Sequence, residues 1–452
     1  MEKGDFFKSE FLLKRFDPRI SRSLSKGYAE ISRSAGSSFS FALGDNFRQT
    51  MSRIFQRKNM NGAALLSGHI ACTQERCLED SGSYVIVAQD SSYYNLSGHK
   101  KMRGLTAIQG KVLGVVQHNV LAMSELGVPL GLLAQHNWAR GGEGSELWKK
   151  ESEKWNYGLD AVNRHLGSRK KKVILVQDRE ADIFDFIQQV RSPNVELLLR
   201  VYQERLYEIG AAGDTSLSTA YLRQSADSLP YIESKTVEIR RNNQAVWVKL
   251  ALYAGEVSVL PPKNAPKDSR PISMTLVKAV EIGAEDSNFA DVYDPKTKVE
   301  WLLLSSAKLS PHITASQLVE WYALRWGIER FHYVLKSGGY EVERLQFDDI
   351  HTYLNALAFY SVVAWKMLAF NKLVQEEPLT PANVVFDKDE IETMTAITKE
   401  PVITIEQAEK ALNIIARFKP SKAQKHLGNK KMAKAIYDLQ FVSFGFHINN
   451  SS

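Results

Sequence analysis

Cysteine is almost absent from this sequence: Cys72 and Cys77 are the only two in 452 residues. So few cysteines exclude a disulfide-stapled scaffold and agree with a reducing compartment. His69 stands near both, yet the three residues lack a fourth ligand and the usual zinc spacing, so no zinc centre is expected. Two other features are missing: a run of 18 or more apolar residues, and a basic-then-apolar leader with a small-residue cleavage site. The expectation is therefore a cytoplasmic chain with no membrane span and no secretory signal. No repeat of 20 to 50 residues is found either. Acid is missing from one stretch, Lys410–Lys434, which holds eight Lys or Arg and no Asp or Glu, while residues 1–58 carry 12 Lys or Arg against 6 acids. Such patches suit phosphate contacts, each of which releases counterions; an unevenly charged soluble surface is the other reading.

What remains is ordinary for a globular chain. The hydrophobic content is 44%, the net charge is +7, and the length allows two to four domains. Residues 1–81 are polar and helix-compatible, broken by SAGSSFS at 34–40. Residues 82–203 read as the first part of an α/β core. SYVIVAQD (83–90), KKVILVQD (171–178) and VELLLRVY (195–202) have the continuous apolar runs of buried strands. KVLGVVQHNVLAM and PLGLLAQHNWA, joined by SELGV, predict a hairpin. Helices are expected from Ser145, as N-cap, to Leu166 and over ADIFDFIQQV (181–190). This order predicts a mixed sheet with helices on its faces, an α/β fold. Residues 204–300 alternate at period two in KTVEIRR, AVWVKLALY and ISMTLVKAVEIG, a β-rich insertion. Residues 301–373 form the second part of the core, with the strand VEWLLLSS overlapping its start and the apolar helix TYLNALAFYSVVAWKMLAF (352–370), too interrupted by His351 and Lys366 for a span. Residues 374–452 read as helical.

Two segments carry the chemistry. VIVAQD (85–90) and VILVQD (173–178) each deliver an aspartate at the end of a buried strand, the edge at which open α/β sheets bind ligands. Taken singly, an aspartate such as Asp90 or Asp178 is more often a turn or N-cap residue than a catalyst. Neighbouring strands would bring them within a few ångströms, where like charges need a cation between them. Oxygen-only ligands favour Mg²⁺ or Mn²⁺, and a third carboxylate would complete a two-metal site for in-line phosphoryl transfer.

The third carboxylate lies in WYALRWGIERFHYVLK (321–336), where Gly327 is the one helix breaker. At about 100° per residue, Tyr322, Arg325, Glu329 and Lys336 fall within roughly 60° of one another. Leu324, Ile328, Phe331 and Leu335 form the core-facing band. A solvated face with an Arg325–Glu329 pair is one reading of the first stripe. The other puts Glu329 at the metal and Arg325 and Lys336 at phosphate oxygens. Glu180, Asp182 and Asp185 are close enough in sequence to be mistaken for the second ligand; Asp178 is preferred because it ends the strand.

The spacing Tyr-x2-Arg-x3-Glu-x6-Lys over Tyr322, Arg325, Glu329 and Lys336 resembles the signature of the insertion-sequence-four family of DDE transposases. RWGIERFHYVLKSG and QDREADIF (177–184) resemble that family's segments too, and AQDSSYYNLSGH sits where its first aspartate does. The resemblance runs from about Leu43 to the C-terminus. It implies an RNase H-like catalytic fold with a β insertion before the glutamate helix. It implies Asp90, Asp178 and Glu329 as catalytic ligands of two Mg²⁺ or Mn²⁺ ions, with Tyr322, Arg325 and Lys336 gripping DNA phosphates. Trp301 would stack a flipped base, and Trp326 would also contact DNA. The implied reaction is cut-and-paste transposition: strand cleavage, hairpin formation and strand transfer on double-stranded DNA, namely terminal inverted repeats and target. A synaptic homodimer, no membrane and a bacterial, nucleoid-associated location go with it. Residues 1–81 would then bind DNA ends and residues 374–452 dimerise. One departure stands: the stretch from Leu43 to Asp90 is shorter than the family's, and residues 1–40 do not align. A degenerate copy that only binds DNA or inhibits by dimerising is the alternative.

Overall fold

The computed structural model describes all residues except 1–9, 12–15, 35, 148, 210–217, 242–243, 284–292, 422–423 and 451–452. Part of the expected N-terminal region, and Lys422 of the basic stretch, thus lie outside the described residues.

Caps set the first helices. α1 (Pro18–Arg33) has Pro18 in its first turn, where a missing N–H costs nothing, and Asp17 accepts from the Arg19 N–H. The Ser/Gly stretch separates it from α2 (Phe39–Phe55), capped by Ser38 and kinked at Gly44, whose φ of 66° suits glycine. α3 (Gly62–Glu79) is capped by Asn61. Next come β1 (Tyr84–Asn95), β2 (Thr106–Gln109), β3 (Val112–Met123), β4 (Pro129–Trp138), α4 (Lys154–Leu166), β5 (Lys172–Gln177), α5 (Phe184–Ile187) and β6 (Val195–Arg200). β7 (Leu206–Ile209), β8 (Ser218–Tyr221), α6 (Leu222–Ser225), β9 (Tyr231–Arg241), β10 (Gln244–Val259), β11 (Ile272–Ile282) and β12 (Glu300–Ser305) follow. The chain continues with α7 (Ala315–Leu324), α8 (Trp326–Tyr333), α9 (Ile350–Glu376), α10 (Lys388–Thr398), α11 (Ile405–Ile415) and α12 (Asn429–Asn450).

The chain divides into two compact units. One comprises residues 1–82, 90–150 and 327–452, the other residues 83–89 and 151–326. In the first unit, β3 and β4 form the expected antiparallel hairpin, with Val116 opposite Trp138 and Met123 opposite Pro129. α9 packs against β4, α3, α1 and α2. It is long and apolar enough to cross a membrane by length and composition, but 94% of its apolar window is buried inside the protein. An all-round apolar helix of this kind is a core helix. Trp365 ties it to the hairpin by donating from Nε1 to the Pro129 carbonyl at 3.0 Å.

The second unit is built on a mixed sheet. β5 pairs in parallel with the start of β1, Tyr84 to Ala88 opposite Lys172 to Val176, and with β6 on its other side. β12 continues antiparallel to β6, followed by β11 and β10. β9 and β7 both pair with β10, and β8 with β7. α7, started by a capping box between Thr314 and Gln317, packs on this sheet. The α/β architecture with a mixed sheet is as expected, and the period-two segments KTVEIRR, AVWVKLALY and ISMTLVKAVEIG are strands.

Four local expectations need correction. The helix expected from Ser145 starts at Lys154; two short 3₁₀ turns precede it. Apolar periodicity begins only at Trp155, with Leu159, Val162 and Leu166 buried after it. Only one helical turn, Phe184–Ile187, forms in ADIFDFIQQV, because Asp182 is drawn into a loop by other partners. β1 extends past Asp90 to Asn95, so Asp90 lies within a strand and does not end it. The stretch 321–336 is not one helix either: it breaks at Arg325, whose N–H bonds the Tyr322 carbonyl three residues back, and ends in a π-helical turn at Val334–Gly338. A further strand, β2, was not expected.

Candidate active site

In the second unit, β5 delivers Asp178 directly after its last residue, Gln177, in extended conformation. The strand is buried along Val173–Gln177, so its end is held by the sheet. The Asp178 side chain is 35% exposed, and Arg325 Nη2 lies 4.0 Å from its Oδ2. Tyr322, one turn before Arg325, is buried. Burial raises its hydroxyl above the ordinary phenol range; Asp178 adds to this, while Arg325 and Arg200 oppose it. Arg200, at the end of β6, hydrogen-bonds Tyr322, and its own partial burial lowers it from the usual guanidinium range. Two guanidinium groups and a phenol thus stand around one strand-end carboxylate.

The two tryptophans are placed differently. Trp301 is buried on β12, and its ring meets Tyr322 edge-on at 5.2 Å. Trp326 is 39% exposed, with the Arg325 guanidinium 5.9 Å from its ring. The neighbouring acids do other work. Glu180 is exposed and pairs with Lys154 at 3.2 Å. Asp182 is buried and accepts from the backbone N–H groups of Tyr202 and Gln203 and from Arg205, each at 2.7 Å. Asp185 is exposed.

In the first unit, Asp90 has a side chain 25% exposed, with His332 Nδ1 3.9 Å from its Oδ2. Its Oδ1 accepts from the Ser91 N–H at 2.8 Å. Lys336, in the π-helical turn, stands 5.1 Å over the Tyr94 ring. Partial burial lowers its ammonium from the ordinary range, against the pull of Glu343 and Asp90. A π-turn is the kind of local widening often met at functional positions. Glu329 is half-buried on α8, one turn before the buried His332. Ile328, Phe331 and Leu335 are fully buried, as the core band requires, whereas Leu324 is only half-buried. Tyr322 and Arg325, on the other stripe, are buried too, against its solvated-face reading.

Within the second unit the β1–β5 register ends with Ala88 opposite Val176. Among the described residues, no three His, Cys, Asp or Glu are gathered as a ready-made metal site.

Three residues here escaped the sequence reading. Arg200 ends a buried strand as Asp178 does, so the same edge rule would have found it. His332 lies three residues after Glu329, a helical spacing that carries signal. Asn119, which contacts His332 from β3, has none.

No family model matches this chain. A cryo-EM structure of a piggyBac transposase synaptic complex with hairpin DNA is similar to it at 10% sequence identity and a TM-score of 0.36, covering 98% of this chain and 81% of that one. A likeness at that level bears no weight for fold or activity.

Proposed function

We propose that this chain is a DNA transposase with an RNase H-like catalytic fold, which cuts double-stranded DNA at the terminal inverted repeats of a mobile element and joins the freed ends to target DNA. One observation carries the reading. Three of the Tyr-x2-Arg-x3-Glu-x6-Lys residues stand near an aspartate of the same unit: Tyr322 and Arg325 near Asp178, and Lys336 near Asp90.

Mg²⁺ or Mn²⁺ fits the donor set. Asp90, Asp178 and Glu329 offer only carboxylate oxygen, the two aspartates are partly exposed, and the nitrogens beside them, His332 Nδ1 and Arg325 Nη2, stand 3.9 and 4.0 Å away. These three residues would hold two ions, which supply Lewis-acid activation of the attacking and leaving oxygens. The chain's own groups do the rest. Arg325 and Lys336 bind phosphate oxygens, and Arg325 can do so through two N–H groups at once. Tyr322, kept protonated by burial, donates its hydroxyl proton. Arg200 holds Tyr322 in place. The exposed Trp326 is suited to contact DNA, whereas Trp301 becomes a base-stacking platform only if the Tyr322 ring moves aside. A synaptic homodimer in the bacterial cytoplasm completes the proposal, with the basic ends of the chain on DNA.

The test is cleavage of duplex DNA carrying the inverted repeats that flank the gene. In Mg²⁺ the wild type is expected to nick at the repeat ends, and Glu329→Ala to bind the same DNA without cutting. Cutting retained in Glu329→Ala refutes the assignment. A wild type that binds the repeats but cuts in neither Mg²⁺ nor Mn²⁺ is instead a degenerate, DNA-binding copy.

A further inference from the structure

A buried chain of hydrogen bonds in the first unit determines where one proton sits. Ser361 on α9 donates its hydroxyl to the Leu357 carbonyl at 2.8 Å, a group that can only accept. The Ser361 oxygen is then itself left to accept. Gln117 and Gln135 must therefore turn their NH₂ groups toward it, at 3.2 and 2.7 Å. Gln117 presents its oxygen to the Tyr94 hydroxyl at 2.8 Å and to the Asn119 NH₂ at 2.9 Å. Gln135 gives its second N–H to the Asn119 oxygen at 2.7 Å. Two bonds, both traced back to the Ser361 hydroxyl, thus agree on the orientation of the Asn119 amide. Its remaining N–H reaches His332 Nε2 at 2.9 Å, so that nitrogen must accept. In a neutral imidazole the proton is then on Nδ1, the atom 3.9 Å from Asp90 Oδ2.

We propose that His332 is a positioning residue, a neutral imidazole locked by the Asn119–Gln117–Ser361 network with its Nδ1–H presented to the Asp90 carboxylate. This rests on the reading of Asp90 as an active-site carboxylate. The burial argues for a purpose beyond packing. Gln117, Asn119 and Ser361 are fully buried, and His332 is 7% exposed; such networks are costly unless every member is satisfied, and when satisfied they hold one geometry. At 3.9 Å the Nδ1–H faces the carboxylate beyond direct hydrogen-bond reach, so it acts through its dipole or one bridging water, and it brings no positive charge that would compete with a metal ion. Lys or Arg at position 332 could not do this. The arrangement parallels the outer-shell partners that orient metal-binding carboxylates, whose loss costs about 10–100-fold.

Two measurements test it. Two-bond ¹H–¹⁵N correlation spectra of ¹⁵N-histidine-labelled full-length protein report the tautomer with no reference to activity. The wild type is expected to show His332 as Nδ1–H, and Asn119→Asp, which turns the Nε2 partner into an acceptor, to lose that form. The Nε2–H tautomer in the wild type overturns the proposal whether or not the protein cuts DNA. In the cleavage assay, the amide of Asn reaches the Nδ1 position and that of Gln the Nε2 position. His332→Asn is expected to stay within about threefold of wild type, and His332→Gln to lose about 10–100-fold with DNA affinity unchanged. Equal loss in both variants makes His332 merely structural and refutes the positioning role. A wild type without cleavage counts against the transposase reading alone, and the tautomer then stands or falls by the spectra.

Discussion

Asp178 and Asp182 stand four residues apart in QDREAD, and their substitutions should have opposite consequences. Asp182 is fully buried, with Arg205 Nη2 2.7 Å from its carboxylate and the Arg205 side chain 8% exposed. It also satisfies two backbone N–H groups that cross from the end of β6. Asp182→Ala would leave a buried guanidinium without its counter-charge and two donors without an acceptor. Breaking a buried pair from one side costs about 3–5 kcal/mol, which at about 1.4 kcal/mol per tenfold shifts the unfolding equilibrium by roughly two to three and a half decades. Asp178 is 35% exposed and its ion pair with Arg325 spans 4.0 Å. Discounted for solvent, such a pair contributes about 0–1 kcal/mol, so Asp178→Ala should unfold almost as the wild type does. The assay is urea unfolding of both variants, followed by cleavage at a temperature where both are folded. Asp182→Ala should be unstable yet cut, and Asp178→Ala stable yet inactive. A stability loss under about 1 kcal/mol for Asp182→Ala, or cleavage by Asp178→Ala, would refute the division of labour.

Two further outcomes are expected. Burial alone would raise the Glu10 carboxyl, but Arg76 and His69 outweigh it and hold it below its usual 4.5, while burial lowers His69 below 6.5. Both folded values are depressed, so the stability they lend is complete above about pH 6.5 and falls with acid, first through His69 and then, below about pH 4.5, through Glu10. A melting temperature that stays flat from pH 7 to pH 4, in a wild type whose Glu10→Gln variant behaves alike, would contradict this. Lys336→Ala should weaken DNA binding uniformly across sequences and reduce the slope of log affinity against log salt by about one, because one phosphate contact is lost; an unchanged slope would remove Lys336 from the phosphate-binding set.

The parts of the fold that were legible in the sequence are those governed by burial on both faces. VIVAQD, VILVQD and VELLLR are continuous apolar runs, and no amphipathic helix competes with them for that pattern. The hairpin of β3 and β4 was equally plain from its turn. Helix boundaries were not, because tertiary bonds decide them: Asp182 leaves its expected helix for Arg205, and Arg325 breaks the run 321–336 where its side chain turns in beside Asp178. The continuation of β1 through Ser91–Asn95 was missed although Tyr94 is buried and Tyr93 exposed, the period-two mark of a half-buried strand. At the site, Asp178 and the Tyr322, Arg325, Glu329 and Lys336 spacing could be found by position alone. His332 could not be given a role from sequence, because its proton is set by Asn119, Gln135 and Ser361, which lie far from it in the chain.

Asp90, Asp178 and Glu329 either share a metal site or they do not, and Mn²⁺ binding distinguishes the two. Free Mn²⁺ is followed by EPR as it is titrated into the wild type and into the Asp90→Ala, Asp178→Ala and Glu329→Ala variants, with folding checked by unfolding curves. Each variant is expected to bind at least tenfold more weakly, a loss of about 1.4 kcal/mol or more. A folded variant that binds Mn²⁺ as tightly as the wild type would contradict the shared site.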